Sequence, residues 1–203
     1  TYERILEADR ESAGKRSGHG NAIAQSYNHT ILPLSNERDR RTQIRWGIED
    51  FRFRFKRDPE SLWLPETACD DATLGALIDE GLAYVILSPF QAERVRPIGG
   101  TDWKTVSDGN IDTSIPYRYF HRDGSGRSIA VFFYNGGLAR SIAFEGALAS
   151  SRALAERFKQ ASEIGEGNLV SVATDGETYG HHFRFGDRGL AYALEVEAEP
   201  QGL

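Results

Sequence analysis

Apolar residues recur at helical spacing in several segments of the chain, and short apolar runs separate these segments. The spacing predicts helices over residues 2–13, 37–57, 71–80 and 145–160, and again from about residue 187. The runs between the helices predict buried strands at about residues 20–25, 61–64, 84–87, 128–134 and 168–174. Because strands alternate with helices, the pattern predicts an α/β fold with right-handed crossovers and a parallel sheet.

One long segment, residues 91–127, shows neither period clearly and is predicted to be rich in loops. Its turn signals are Gly99-Gly100, Asp108-Gly109-Asn110 and Asp123-Gly124-Ser125-Gly126. A loop of this length is unusual in a compact domain, and such loops are usually functional or disordered.

Composition and charge narrow the class of partner. With 203 residues, 39% of them hydrophobic, the chain is long enough for one medium domain with a real core. The net charge is −6 and no long basic cluster is present, so we expect no nucleic-acid partner. The charged run at residues 37–45 predicts a solvated helix face. No apolar run is long enough to span a bilayer and no signal peptide is visible, so we expect no membrane partner and a cytoplasmic location.

Two residue counts add further expectations. Cys69 is the single cysteine, which excludes an intrachain disulfide and a cluster of thiolate metal ligands. The sequence begins Thr1-Tyr2-Glu3 and contains no methionine, so we expect it to be an internal piece of a longer protein.

Two carboxylates follow predicted strands at their carboxyl ends. The run "SLWL" ends at Pro65, which has no N–H to donate, and Glu66 comes next. The run "NLVSVAT" is followed by Asp175 in the same way. In a barrel of parallel strands these ends open on one face. Two facing carboxylates are what glycoside hydrolysis needs, one acting on the anomeric carbon and the other donating a proton to the leaving oxygen.

Three motifs carry a resemblance to a known family. The stretches "SYNHTILPL", "LWLPETA" and "VATDGETYGHH" are similar to the second, third and fourth signature regions of glycoside hydrolase family 57. The resemblance covers essentially the whole chain and is closest to a bacterial branch of that family. It implies an incomplete (β/α)7 TIM-like barrel and a retaining mechanism, mostly on α-glucans. It also implies that Glu66 is the nucleophile and Asp175 the general acid/base.

Parts of the family pattern are absent from the sequence. The first signature, a His-Gln-Pro stretch, is missing, as is the C-terminal helical region that carries the fifth. We therefore expect residues 1–203 to form a single partial catalytic domain, a barrel truncated to about five parallel strands. The strand at 20–25 is then expected to form an open edge. The missing strands and the helical region would come from the parent chain.

Other side chains are candidates for contact with an oligosaccharide or polysaccharide. They are His29, Trp63, Trp103, Tyr179, His181 and His182. A core or capping role is the default for a lone histidine, and burial in the core is the commoner fate of an aromatic residue. Adjacent histidines lack the spacing of metal ligands, so we expect no metal site and no cofactor.

Glu66 and Asp175 also have interpretations that involve no catalysis of glycoside hydrolysis. Glu66 suits a helix N-terminus and Asp175 suits an Asp-Gly turn. One alternative function is a metal-dependent polysaccharide deacetylase, which would use Asp175 and histidines around a divalent ion. Another is a carbohydrate-binding relic without turnover.

Overall fold

The chain forms six α-helices, and four of them begin at a residue whose side chain caps the helix. The computed structural model describes residues 1–203, and its helices are α1 (Tyr2–Lys15), α2 (Glu37–Phe55), α3 (Asp71–Asp79), α4 (Gly136–Phe144), α5 (Ser151–Ser162) and α6 (Gly186–Tyr192). Before α2, the Asn36 side chain accepts a hydrogen bond from the Asp39 N–H at 2.9 Å. Before α3, Asp70 accepts one from the Thr73 N–H at 2.7 Å. The predicted helices at 2–13, 37–57 and 71–80 are confirmed.

Seven short strands form three small sheets. The strands are β1 (Ala24–Gln25), β2 (Leu62–Trp63), β3 (Tyr84–Leu87), β4 (Arg94–Val95), β5 (Lys104–Thr105), β6 (Tyr117–Phe120) and β7 (Ser128–Phe133). Strand β1 pairs with β2 in parallel, β4 pairs with β5 antiparallel, and the third sheet has the order β3-β7-β6. The α/β class is confirmed, and β1 has β2 as its only strand partner, as expected for an edge strand.

The chain divides into two compact units, which we call unit 1 and unit 2. Unit 1 comprises Thr1–Leu87 and Tyr117–Val131, and unit 2 comprises Ser88–Pro116 and Phe132–Leu203. The expectation of one partial barrel domain over residues 1–203 stays a prediction.

Helix α2 forms much of the core of unit 1. Its apolar residues Ile44, Ile48 and Phe51 are buried at the spacing of one helix face. Gly47 lies between them, and a Cβ atom there would be less than 2.5 Å from the Gln25 carbonyl oxygen of β1. The absence of a side chain at this glycine therefore lets helix and strand backbone approach closely.

The core of unit 2 is mainly helical. Its buried members are Leu138, Ile142, Ala147, Leu148, Leu154 and Ala193. Val170 and Val172 pack against this cluster from a segment without regular structure. The carboxyl end of the chain is helical from α6 onward, as predicted.

The prediction that all strands are parallel is wrong. Strands β6 and β7 pair antiparallel, with Tyr117 opposite Val131 and Phe120 opposite Ser128. Only a short turn joins them, and a turn of that length connects antiparallel strands but not parallel ones. Its Asp123 side chain accepts a hydrogen bond from the Ser125 N–H at 2.8 Å. The same finding corrects the loop prediction for 91–127, since β4, β5 and β6 lie there.

The predicted strand at 168–174 is also wrong. Residues 168–174 form no strand, and their hydrogen bonds to other segments are isolated. The Asn135 N–H donates to the Ser171 carbonyl oxygen at 2.7 Å, and the Leu169 N–H donates to the Ser114 carbonyl oxygen at 3.2 Å. The apolar run is satisfied by packing on helices instead of by a strand ladder.

The predicted helix at 145–160 is correct only from residue 151 onward. Gly146, with φ of 73°, separates α4 from the turn before α5. Helix α4 was not predicted from the sequence. None of the helices combines the length and the apolar character that a membrane-spanning helix requires.

Candidate active site

Glu66 lies in a short 3-10 turn that follows strand β2 at once. The turn spans Pro65–Thr67, and the Thr67 N–H donates to the Leu64 carbonyl oxygen at 2.8 Å. Pro65 and Thr67 are buried, whereas Glu66 is exposed. Its two neighbours therefore anchor the backbone while the carboxylate between them faces solvent.

The backbone of this turn is strained at two successive residues. Glu66 has φ of 57° and Thr67 has φ of 51°, both in the left-handed region. A non-glycine residue in a sparsely populated region costs about 1–3 kcal/mol, and a β-branched one is a genuine outlier. Such conformations cluster at functional sites. The Glu66 carboxylate makes no hydrogen bond or ion pair within the chain.

His29 lies at the same edge of the same sheet as Glu66. Strands β1 and β2 are parallel, with Gln25 opposite Trp63, so the segments that follow them leave from one edge. His29 is exposed and has φ of 54°, and its N–H donates to the Ser26 carbonyl oxygen at 2.9 Å. The structure thus brings the second and third sequence motifs together.

Two side chains beside these motifs are less accessible. Ser26 is fully buried, and its hydroxyl accepts a hydrogen bond from the Thr30 N–H at 3.1 Å, which fixes the turn that carries His29. Trp63 is half-buried in β2.

Asp175 lies at the start of another 3-10 turn, Gly176–Thr178. The Thr178 N–H donates to the Asp175 carbonyl oxygen at 3.1 Å, while the Asp175 side chain is exposed and makes no hydrogen bond. It does not follow a strand as predicted, because the preceding segment forms none.

The residues after Asp175 fold back on the same turn. The N–H groups of His181 and His182 both donate to the Glu177 carbonyl oxygen, at 3.1 and 2.9 Å. Both histidines are exposed, and their ring centroids are 4.9 Å apart. The Tyr179 hydroxyl is 2.5 Å from the Thr174 hydroxyl, and its ring packs on the core of unit 2. The fourth motif therefore presents its acid and both histidines to solvent.

Trp103 lies next to strand β5 in unit 2 and is half exposed. The guanidinium groups of Arg94 and Arg96 lie 4.8 and 4.6 Å from its ring centroid. The predicted role of Trp103 as a sugar platform stays a prediction.

The candidate residues are distributed over both units. Unit 1 contains Glu66, His29 and Trp63, and unit 2 contains Asp175, Tyr179, His181, His182 and Trp103. The pairing of Glu66 with Asp175 stays a prediction.

The Cys69 thiol lies just after the third motif. Burial, together with the charges of Asp70 and Asp71, raises the pKa of the Cys69 thiol to about 11, so it is protonated at neutral pH and is a poor nucleophile. No three His, Cys, Asp or Glu side chains are grouped closely enough to hold a metal ion.

Comparison with protein families identifies the family to which the chain belongs. The profile of glycosyl hydrolase family 57 matches residues 3–197. The chain belongs to glycosyl hydrolase family 57. No curated protein sequence matches it.

Solved structures share the fold at low sequence identity. A family 57-type branching enzyme from Pyrococcus horikoshii is 19% identical with a TM-score of 0.67, over 98% of this chain and 44% of that one. The 4-alpha-glucanotransferase from Thermococcus litoralis is 18% identical with a TM-score of 0.60, over 94% and 27%. A protein described as a polysaccharide deacetylase from Mycobacterium smegmatis is 20% identical with a TM-score of 0.62, over 100% and 63%. This family 57 chain thus spans less than two thirds of each of these proteins.

Arg40, which hydrogen-bonds to the end of the second family 57 motif, was not identified from the sequence. Arg40 is buried, although its run was predicted to be a solvated helix face. Its Nε donates to the Leu32 carbonyl oxygen at 3.2 Å and its Nη2 to the Ser35 carbonyl oxygen at 3.0 Å. The signal was its spacing, since residue 40 precedes Ile44 by one helical turn on the buried face of α2.

Proposed function

We propose that this chain is part of the catalytic barrel of a retaining glycoside hydrolase or transglycosylase that acts on α-linked glucan. Glu66 is the nucleophile and Asp175 the general acid/base. The observation that carries the proposal is the strained turn after β2, which presents Glu66 to solvent between two buried neighbours.

The chemistry requires the two carboxyl groups to alternate between roles. Glu66 attacks the anomeric carbon as the bond to the leaving oxygen breaks, and Asp175 gives its proton to that oxygen. A covalent glycosyl-enzyme results. Asp175 then takes a proton from the acceptor, which attacks the anomeric carbon and releases Glu66. This sequence requires a separation of roughly 5–5.5 Å between the two carboxyl groups in the complete enzyme.

Family membership and the names of similar structures support an α-glucan substrate. Two of those structures are a branching enzyme and a 4-alpha-glucanotransferase. The acceptor is water in a hydrolase and a sugar hydroxyl in a transferase. His29, which shares a sheet edge with Glu66, donates a hydrogen bond to the sugar in this proposal. Trp63, Tyr179, His181 and His182 are further substrate contacts.

Azide rescue of two variants of the complete protein tests the roles. With an aryl α-maltoside that has a good leaving group, Glu66→Ala abolishes turnover, and azide restores it with a product of inverted configuration. Asp175→Ala still forms the covalent intermediate, because no proton is then needed, and azide gives a product of retained configuration. Reversed stereochemistry would exchange the roles, and full activity in both variants would refute the proposal.

A second candidate function rests on the likeness to the deacetylase-described structure, which covers 100% of this chain. That reaction needs a divalent ion held by converging side chains, and no such group of ligands is present. In a deacetylase mechanism, the exposed Glu66 carboxylate would have no catalytic role. Stoichiometric zinc in the purified protein, lost together with activity on chelation, would favour the deacetylase.

A further inference from the structure

The outer face of α2 carries exposed aromatic rings around a shallow cavity. The cavity has a volume of about 400 Å³ and is lined by Tyr27, Trp46, Glu49, Asp50 and Phe53, which we call the α2 surface site. All five residues belong to unit 1. Trp46 is 52% exposed and Phe53 is 71% exposed, although they are large apolar side chains. A contiguous group of such rings is typical of an interaction surface.

The two larger rings of the site hold each other in place. Tyr27 and Trp46 meet edge to face, with ring centroids 5.6 Å apart and planes at 82°. Such pairs are stabilised beyond their buried area. Lys56 Nζ lies 4.7 Å from the Phe53 ring centroid. The aromatic part of the site is therefore ordered by contacts within the chain.

The two carboxylates of the site are fixed in a similar way. Arg52 Nη1 donates to Glu49 Oε1 at 2.6 Å, and Arg54 Nε donates to Asp50 Oδ2 at 2.7 Å. The second oxygen of each carboxylate has no hydrogen bond within the chain. The site thus combines apolar rings with two oriented acceptors whose charges are balanced by arginines.

We propose that the α2 surface site binds a short stretch of α-glucan outside the catalytic centre. A sugar ring has apolar C–H faces that pack on aromatic rings and hydroxyl groups that donate to carboxylate oxygens. A protein partner would have to bury two ion pairs, which costs desolvation energy. A polyanion would meet two carboxylates, and a polycation would meet arginines. A neutral polyol is the ligand class that suits all five side chains.

The α2 surface site includes a residue from the turn that carries His29. Tyr27 follows the end of β1 and precedes His29 by two residues in the same turn. A glucan held there lies beside the sheet edge that carries the proposed catalytic turn. The choice of glucan as ligand rests on the proposed function, whereas the chemistry of the site does not.

Affinity electrophoresis of the complete protein in gels containing amylopectin tests the proposal. Retardation by amylopectin is expected to fall at least five-fold in Trp46→Ala and in Phe53→Ala. The matched control is Phe144→Ala, which removes another exposed ring, 83% exposed, in unit 2 and is expected to leave retardation unchanged. Circular dichroism verifies that each variant is folded. Hydrolysis of the small aryl maltoside is expected to stay at the wild-type rate in all three.

The outcomes separate this site from the catalytic one. Glu66→Ala is expected to lose turnover but keep its retardation, so that failure of the proposed function does not remove the signal. Wild-type mobility unaffected by amylopectin would overturn the proposal, as would unchanged retardation in both ring variants. A change of oligomeric state in Trp46→Ala without loss of retardation would show a protein contact instead. Loss of aryl maltoside hydrolysis in both ring variants would place these rings in the catalytic site.

Discussion

At the scale of single residues, the backbone is strained at Glu66, the position of the proposed nucleophile. Its left-handed backbone favours glycine, and the exposed side chain makes no contact that stabilises the fold. We expect Glu66→Gly to raise the free energy of unfolding by roughly 1 kcal/mol through relief of strain. Under the proposed role of Glu66 as nucleophile, we expect the same variant to lose turnover. Urea denaturation at pH 7 measures the first effect.

The control for this prediction keeps the backbone strain. Glu66→Gln preserves the shape of the side chain and is expected to unfold at the wild-type urea concentration, and under the proposed role of Glu66 we expect it to lack turnover. A Glu66→Gly variant less stable than Glu66→Gln would show that the turn is not strained.

Arg40 is expected to stabilise the segment after the His29 turn. Arg40→Met removes two hydrogen bonds to the Leu32 and Ser35 carbonyl oxygens, which stay partly buried. We expect a loss of about 1–3 kcal/mol in the free energy of unfolding. Arg38→Ala, which replaces an exposed arginine two residues earlier in α2, is expected to change the free energy of unfolding by less than about 0.5 kcal/mol. Equal effects of the two substitutions, measured by urea denaturation, would contradict the assignment.

At the scale of elements, the contact between α2 and β1 depends on Gly47. A methyl group at this position would overlap the Gln25 carbonyl oxygen. Both partners are backbone, so neither can rotate away. We expect Gly47→Ala to lower the free energy of unfolding by about 3 kcal/mol, at the upper end of overpacking effects.

A second helical glycine provides the comparison. At Gly14 in α1 a Cβ meets nothing within 4 Å, so Gly14→Ala is expected to stabilise the protein by about 0.5–1 kcal/mol through helix propensity. Thermal unfolding of the two variants side by side should give melting temperatures on opposite sides of the wild-type value. A neutral Gly47→Ala would mean that α2 and β1 are not in close contact.

Elements with strong local signals were predicted well from the sequence, and those defined by distant contacts were not. Helix α2 has four apolar positions at helical spacing and a capping Asn36, which is local information. Residues 168–174 can form a strand only if a neighbouring strand is available to pair with them. The periodicity of the segment itself does not indicate whether such a partner exists. The β6–β7 hairpin did have a local signal, the turn at Asp123-Gly124 with alternating residues before it.

The same division applies to the candidate site. The motifs indicated Glu66 and His29 only as separate candidates, and the structure brings them to one sheet edge because the β1–β2 pairing is parallel. The left-handed backbone of Thr67 and the burial of Ser26 and Arg40 depend on packing by other segments. Side-chain type and spacing therefore locate the acid, while the contacts that orient it are visible only in three dimensions.

At the scale of the whole molecule, buried and hydrogen-bonded carboxylates link stability to pH. Arg57 donates to Asp9 Oδ1 at 2.8 Å and Oδ2 at 3.0 Å, and the Ala22 N–H donates to Asp9 Oδ1 at 2.7 Å. The hydrogen bonds from Arg57 hold the pKa of Asp9 below its usual range, although burial opposes them. For Asp70, Asp79 and Asp112, burial acts most strongly and raises the pKa. Hydrogen bonds and nearby cations together outweigh the effect of burial, so the pKa of each of these carboxyl groups is lowered.

The sign of the resulting pH dependence follows from proton linkage. A carboxyl group with a depressed pKa in the folded state binds protons more readily when the chain is unfolded. Its stabilising effect is fully present above the unfolded pKa, which is 3.8 for Asp9. This stabilising effect is lost as the pH falls through the lower pKa that the carboxyl group has in the folded state. We therefore expect the free energy of unfolding to be flat near neutral pH and to fall steadily below about pH 4.

Asp9→Asn tests whether the pair with Arg57 contributes to this acid sensitivity. The variant leaves Arg57 without its partner charge, so at pH 7 we expect a loss of roughly 3 kcal/mol. Because asparagine does not titrate, the decline between pH 5 and pH 2 is expected to be shallower than in the wild type. Asp58→Asn removes an exposed carboxylate paired with Arg52 and is expected to cost less than about 1 kcal/mol. Urea denaturation of the three proteins across this range supplies the slopes, and a wild-type slope in Asp9→Asn would exclude the pair as a source of acid sensitivity.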